Sequence, residues 1–409
     1  MSNILSKISD WLDQRIGLTK NWLRPIPEYG FDFTYWFGAI AFINFMILVV
    51  SGILLAFYYT PSAALNSEGI PMAYASTQYI DTQVPLGWLL RTLHLYAAYG
   101  MIISAFLHLV RNYITGAYKK PRELMWVAGL LMGFAMLGSA FTGYLLPYNQ
   151  ISFYATVVGY NLALSIPGVG TVLGYLIAGA GTQDIVQRFY LLHIYLMPGI
   201  LLILLGIKLY MFENHGLHDP FRDIKKTLIR VYNWFPRGVY FVGVLFLIDL
   251  SILLTFASLF PNDLGLPYNP NNPPAVEILP EWYFFWVYEL IRVQYPQSLL
   301  SLLSSMGIAN PAAVFPLFLL FLALIYLFFL PAIDRSKNVH PKKRFWIVTV
   351  GAIMFGEVII LSFIPWLFQN GFITLDEMAS LPLMVASLLL VDALMIGIVL
   401  IVYAYKKWL

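Results

Sequence analysis

The chain has 409 residues, 60% hydrophobic and only 11% charged. Soluble domains carry about a quarter charged residues, and disordered chains combine low hydrophobicity with high charge, so both classes are excluded. Cysteine is absent, which removes disulfides, thiolate metal sites, cysteine nucleophiles and Cys-x-x-Cys-His cofactor attachment, and the net charge of +3 marks no nucleic-acid partner. Residues Met1–Lys20 are polar and mildly amphipathic and lack the apolar core of a signal peptide; they read as a surface helix. A membrane helix needs about 20 mostly apolar residues, and eight stretches qualify: Tyr35–Tyr59, Leu86–Leu109, Leu124–Leu146, Phe189–Phe212, Val239–Phe260, Ala312–Ala332, Phe345–Phe368 and Leu381–Tyr405. A further apolar stretch, Ile151–Ala180, holds Pro167 and several glycines and suits a re-entrant or surface-lying hairpin.

Charge supports that count. With eight spans, all of the 24 Lys+Arg except Arg91, Arg188 and Arg292 lie on one side or at helix ends facing it. A ninth span would move Lys225 and Lys226 across and spoil the bias. The positive-inside rule then places both termini in the cytoplasm, as for a multi-pass protein of a prokaryotic-type plasma membrane in contact with lipid. The predicted fold is all-α and polytopic. Residues 1–34 form a cytoplasmic surface segment, 35–235 a four-helix bundle with the external hairpin 151–180, and 236–409 a C-terminal set of helices with a long external loop over 261–311. That loop contains Asn269-Pro270-Asn271-Asn272-Pro273-Pro274, which cannot be helical. Long loops on one face build sites or docking surfaces.

The six histidines carry the next signal. His94 and His108 lie fourteen residues apart in the second span, about 21 Å along the axis and within about 40° of one face. Two imidazoles on one face near opposite sides of the bilayer is the layout for two stacked haems. His193 lies in the fourth span, near its external end. Ionisable groups in spans are rare and usually functional, although any single one can be a hydrogen-bonded core residue. Gly38 and Gly52 in the first span are also fourteen apart, as are Gly129 and Gly143 in the third. Glycine lets a flat macrocycle approach the backbone; small-residue helix packing is the plainer explanation. Arg91 precedes His94 by three and Arg111 follows His108 by three, one turn outward in each case. Cations there suit haem propionates, or simply reach for the interface.

At this point the chain resembles cytochrome b of the quinol-oxidising bc and bf complexes, in its undivided eight-span form. Three motifs carry the resemblance: Arg91-x-x-His94 with His108-x-x-Arg111; Gly143-Tyr144-Leu145-Leu146-Pro147-Tyr148-Asn149-Gln150-Ile151-Ser152-Phe153; and Pro280-Glu281-Trp282-Tyr283. The resemblance implies two non-covalent haems, b-type or alternatively a-type, the external one on His94 and His193 and the cytoplasmic one on His108 and a partner in the fourth span. It implies an external quinol pocket where Glu281 accepts a proton beside Pro280, Tyr283 and Tyr144, with quinone as product. It also implies a Rieske iron–sulfur partner, further respiratory subunits such as a cytochrome c or terminal oxidase, a homodimer and proton translocation. A cytoplasmic quinone-reducing pocket would use an acid and a histidine; Asp32, Asp223, His215 and His218 are candidates with a poor local match, and the two histidines read equally as solvated loop residues. His340 reads as a surface residue.

One position departs from the family. The second histidine of the fourth span is expected fourteen or fifteen residues after the first. Fourteen after His193 is Ile207 and fifteen is Lys208, and Pro198 follows His193 by five, as in relatives with the longer spacing. Three readings of Lys208 follow: an iron ligand through a neutral amine, a residue that leaves His108 a lone ligand, or a snorkelling cation. This motivates an alternative role, a haem-bearing scaffold subunit of a quinol oxidase assembly. A third class, a secondary transporter, would use Asp249, Glu357 and Asp392, but no inverted repeat is evident; as interhelical hydrogen-bond partners these acids need no transport role.

Overall fold

The computed structural model describes residues 2–17, 25–179, 185–220, 230–271, 278–292, 295–308 and 310–374. An apolar chain in lipid must satisfy its backbone internally, so each long apolar run closes into a helix. Seven described helices are long and apolar enough to span a membrane. They are α2 (Phe37–Ala56), α4 (Gly87–Thr115), α5 (Glu123–Leu145), α8 (Ile185–His215), α9 (Arg237–Leu259), α12 (Pro311–Ile333) and α13 (Phe345–Gln369). The eighth expected span, Leu381–Tyr405, lies outside the described residues. Shorter helices are α1 (Ser2–Ile16), α3 (Met72–Thr82), α6 (Gln150–Leu164), α7 (Gly170–Ala178), α10 (Phe285–Arg292) and α11 (Gln297–Ser305). The outer faces remain apolar: Ile203, Leu247 and Phe329 are each more than 60% exposed, as expected of surfaces that meet lipid.

Helices α2, α4, α5 and α8 form a bundle. α2 lies along α4 and α5 along α8, and Phe45, Met101, Ala135 and Leu201, one from each helix, meet in a single buried cluster. The stretch read as a hairpin is one: α6 and α7 pack on each other and do not form a long helix. Asn149 caps α6 by accepting from Ser152 N at 2.8 Å. Phe153, Ala178, Val186 and Phe189 tie the hairpin to the start of α8 in one buried cluster with Leu145 and Tyr148.

Polar contacts hold the remaining helices to the bundle. The buried Asn44 amide on α2 donates to Asp249 Oδ2 on α9 at 2.9 Å, so Asp249 is an interhelical hydrogen-bond partner. Asp392 lies outside the described residues. At the C-terminal end of α12, Asp334 accepts from Tyr118 Oη at 2.6 Å and pairs with Lys119 Nζ at 2.8 Å and Arg344 Nη1 at 3.1 Å. Arg344 also donates to carbonyls of Val339, Tyr113 and Ile114. This buried cluster joins the loop after α4 to the loop between α12 and α13. A short antiparallel pair, β1 (Pro25–Pro27) with β2 (Val231–Asn233), links the segment before α2 to the segment before α9; nothing in the sequence pattern announced it.

Candidate functional site

The bundle brings the four nitrogen donors together as two pairs. At one level, His94 of α4 and His193 of α8 have ring centroids 6.1 Å apart, inclined by 67°. Two metal–nitrogen bonds of about 2 Å plus about 1 Å from each nitrogen to its ring centre span roughly 6 Å, so this spacing admits one metal ion between the rings. The tautomers follow from the neighbours. His193 Nδ1 lies 2.9 Å from the Ser139 carbonyl, which can only accept, so Nδ1 carries the proton. Ser51 Oγ donates to the Ile47 carbonyl at 2.6 Å and lies 2.8 Å from His94 Nδ1, from which it accepts. Both rings therefore keep a lone pair on Nε2, as a metal-binding imidazole with an oriented second nitrogen requires.

At the other level, Lys208 Nζ of α8 lies 3.5 Å from His108 Nε2 of α4. Asn112 Nδ2 donates to the same His108 nitrogen at 3.0 Å. The amide orientation is set by Arg111 Nη1, which donates to Asn112 Oδ1 at 3.2 Å. His108 Nε2 is thus an acceptor, engaged by Asn112 Nδ2 and 3.5 Å from the lysine nitrogen. His108 Nδ1 and Arg111 Nε are buried and have no hydrogen-bond partner among the described residues. The Arg111 guanidinium stacks 3.6 Å over the Tyr35 ring.

A local departure from α geometry explains the fifteen-residue interval. α8 contains a π-helical turn at Leu192–Leu196. Such a turn inserts one extra residue. Fifteen residues along α8 therefore match fourteen along the regular α4, and Lys208 returns to the level and face of His108. Ile207, one residue earlier, is 47% exposed.

Each donor faces one of the four glycines. A Cβ on Gly38 would meet the His108 ring at 2.9–3.3 Å, and one on Gly52 would meet His94 Cε1 at 3.2 Å. A Cβ on Gly143 would press on the His193 ring, and one on Gly129 would lie 3.4 Å from Lys208 Nζ. Lys208 thus stands to Gly129 as His108 stands to Gly38. Among the described residues no group of three or more His, Asp or Glu could hold a lone ion. Paired nitrogen donors beside glycine-faced helices suit a metal whose remaining ligands come from a planar macrocycle. A cavity of about 2,130 Å³ extends from Gly38, His108, Gly129 and Lys208 to Trp282 and Tyr283. Ordinary small-molecule sites occupy roughly 300–1,000 Å³, so it has room for a macrocycle and a second ligand.

The loop between α9 and α12 presents the carboxylate. Glu281 precedes a 3-10 turn, Trp282–Phe284, but its side chain does not cap it. Instead Glu281 Oε2 accepts from Tyr99 Oη of α4 at 2.7 Å. Burial raises the Glu281 carboxyl above the usual range, and the Tyr99 hydrogen bond offsets part of that. Tyr283 is buried beside it, and its phenol is raised well above the ordinary value by burial and by Glu281. Tyr144 is within electrostatic reach of the same carboxylate, and Pro280 is half-buried just before it. The loop is stitched to the end of α5. Asn149 Nδ2 donates to the Leu264 carbonyl at 2.8 Å, Gln150 N to Leu266 at 2.9 Å, and the Phe153 and Tyr268 rings stack at 3.7 Å.

Other candidates are placed differently. Arg91 Nε bonds Asp81 Oδ1 at 2.6 Å, and its Nη2 donates to the Asn262 carbonyl at 2.5 Å, so in this structure it ties α4 to α3 and to the loop after α9. His218 is not a solvated loop residue: it is 7% exposed, its Nε2 lies 2.8 Å from the Thr115 carbonyl, and it borders the cavity. His215 is exposed, and Asp32 caps the following turn through Thr34 N at 2.9 Å. Asp223 lies outside the described residues. His340 is half-buried and accepts from Lys342 N at 3.3 Å.

Comparison with known proteins agrees with this architecture. The family described as cytochrome b (N-terminal)/b6/petB matches residues 99–267, and that described as cytochrome b (C-terminal)/b6/petD matches 267–381. A cytochrome b from Rickettsia prowazekii is 32% identical over 375 residues, 85% of each chain. A cytochrome bc complex cytochrome b subunit from Chlorobaculum thiosulfatiphilum is 34% identical over 271 residues, 66% of this chain and 62% of the relative. A chain of a solved hyperthermophilic respiratory Complex III superposes with a TM-score of 0.76 at 25% identity, covering 95% of this chain and 98% of that one. The chain belongs to the cytochrome b family, the membrane-embedded electron-transfer subunits of bc-type complexes.

Proposed function

We propose that this chain is the quinol-oxidising, haem-carrying subunit of a respiratory bc-type complex. The observation that carries the reading is the four-fold match of donor to glycine: His94 with Gly52, His193 with Gly143, His108 with Gly38 and Lys208 with Gly129. Two non-covalent haems, b-type, would sit between these pairs, with Lys208 taking the place of a fourth histidine. When bound, the two macrocycles supply a one-electron route across the membrane. Ser51 and the Ser139 carbonyl hold the external imidazoles in the tautomer that presents Nε2. Arg111, over Tyr35 and with Nε unpaired among the described residues, would receive a carboxylate from the cytoplasmic macrocycle.

Quinol would bind on the external side, between the end of α5, the α6–α7 hairpin and the Glu281 loop. Glu281 would take a quinol proton, and its raised affinity for protons suits a base that accepts from a weakly acidic hydroxyl. Tyr144, Tyr283 and Pro280 would shape the pocket and keep water out. Iron–sulfur clusters are held mainly by cysteine thiolates and the chain has none, so the second electron acceptor would be a separate Rieske-type subunit docked on the external loops, within a dimeric complex whose termini face the cytoplasm. An intact Glu281 pocket disfavours a purely scaffolding role.

The test is quinol-driven haem reduction in the purified complex. Glu281→Gln should retain its haems and lose about 10²- to 10⁴-fold in rate, the usual worth of a general base. An unchanged rate would remove Glu281 from the mechanism.

A further inference from the structure

We propose that Tyr99 is a positioning residue for the external proton acceptor, its hydroxyl holding one oxygen of Glu281 so that the other receives the quinol proton. This inference rests on the quinol-oxidising reading above. Three observations lead to it.

The first is the contact itself, Tyr99 Oη donating to Glu281 Oε2 at 2.7 Å. The second is rigidity. Tyr99 stands in the middle of the 29-residue α4. Its ring is enclosed by Tyr96, Trp282 and Tyr283 at centroid distances of 5.7, 5.5 and 6.1 Å. The third is that Glu281 makes no capping bond to its own turn; its carboxylate is tethered from α4 rather than from its own loop. The titratable groups that face Glu281 are Tyr99 from α4, Tyr144 from α5 and Tyr283 from its own turn. From α13, which packs on this turn, the residues bordering the adjoining cavity include Phe355, Val358 and Ile359.

The chemistry balances simply. Oε2 is occupied by the Tyr99 hydroxyl, whose O–H bond stays intact. A quinol O–H bond breaks and an O–H bond forms on Glu281 Oε1. The electron leaving the quinol goes to the one-electron acceptors of the proposed function. A donor to the carboxylate favours its charged form. Tyr99 therefore keeps Glu281 ionised to a lower pH than burial alone would allow, which is the direction of its contribution here.

The experiment is the pH profile of quinol oxidation in the assembled complex, with haem content checked first. Glu281 must be ionised to act, so the rate falls as pH drops through its pKa. Tyr99→Phe removes one oxygen and should move that acid limb up by roughly one to two pH units, as loss of a hydrogen bond to a charged group requires. The alkaline plateau should stay within about threefold, because the base itself remains. Incorporation of 3,5-difluorotyrosine at position 99, a stronger donor of the same shape, should move the limb down. A merely structural role would lower the plateau without moving the limb, and would not make the two substitutions act in opposite directions. If Glu281→Gln abolishes the limb while neither change at Tyr99 moves it, the positioning role is overturned and the Glu281 reading stands. If Glu281→Gln leaves the limb in place, both fall.

Discussion

Gly129→Ala separates the cofactor account from ordinary helix packing. In the protein alone, a methyl at this position meets only the tip of Lys208, at 3.4 Å, and a flexible side chain yields at such a contact. Packing alone therefore predicts a harmless change, with a small gain from replacing a helical glycine of about 0.5–1 kcal/mol. If a macrocycle lies between His108 and Lys208, its edge passes beside Gly129 and the methyl presses on it. Overpacking of that kind costs about 1–3 kcal/mol, or roughly 5- to 150-fold in retention of the cytoplasmic cofactor. Gly206, on α8 and with none of the described residues within 4 Å of a Cβ, is the control. The assay is haem per polypeptide with a reduced-minus-oxidised spectrum. Gly129→Ala should lose the cytoplasmic haem selectively, leaving the external one, and Gly206→Ala should keep both. Full retention of two haems in Gly129→Ala would refute the reasoning that glycine there exists to admit a flat ring.

Two further outcomes follow from buried polar contacts. Asp334→Ala leaves Lys119 and Arg344, 7% and 0% exposed at their side chains, without their shared carboxylate, and should cost about 3–5 kcal/mol, read as a lowered midpoint of thermal unfolding in detergent. Burial raises the Asp334 pKa, but bonds from Lys119, Tyr118 and Arg344 lower it more, for a net depression; its stabilisation is thus present above the unfolded value near 3.9 and is lost as pH falls through the folded value, so the wild type should lose its advantage over Asp334→Asn under strongly acid conditions. Asn44→Leu breaks the bond to Asp249 and should cost about 0.6–1.7 kcal/mol, the range of interhelical hydrogen bonds in membranes, measured by the same unfolding.

The spans were legible because lipid imposes one rule on every residue: apolar runs near 20 residues and few charges. The hairpin was legible from Pro167 and its glycines. His94, His108 and the four glycines were legible because the same fourteen-residue interval recurs on several helices. Lys208 could be singled out only by its spacing and by Pro198, five residues after His193; the π turn at Leu192–Leu196 that justifies the longer interval shows only in the fold. Tyr99 is one of 27 tyrosines, and its partner is 182 positions away. Arg91 was assigned by its distance from His94, yet its partners, Asp81 and Asn262, come from segments that only the fold brings near. His218 shows the same limit: composition suggests a wet loop, whereas the chain folds it under Thr115.

The central claim is that two nitrogen pairs each hold one haem, the second completed by Lys208. A pyridine haemochrome assay with electron paramagnetic resonance on the purified chain, with and without Lys208→Leu, tests it most directly. The account predicts two haems per chain with b-type bands, both low-spin, and conversion of one of them to high-spin in Lys208→Leu with the His94–His193 signal unchanged. One haem per chain, or a spectrum indifferent to Lys208→Leu, would contradict it.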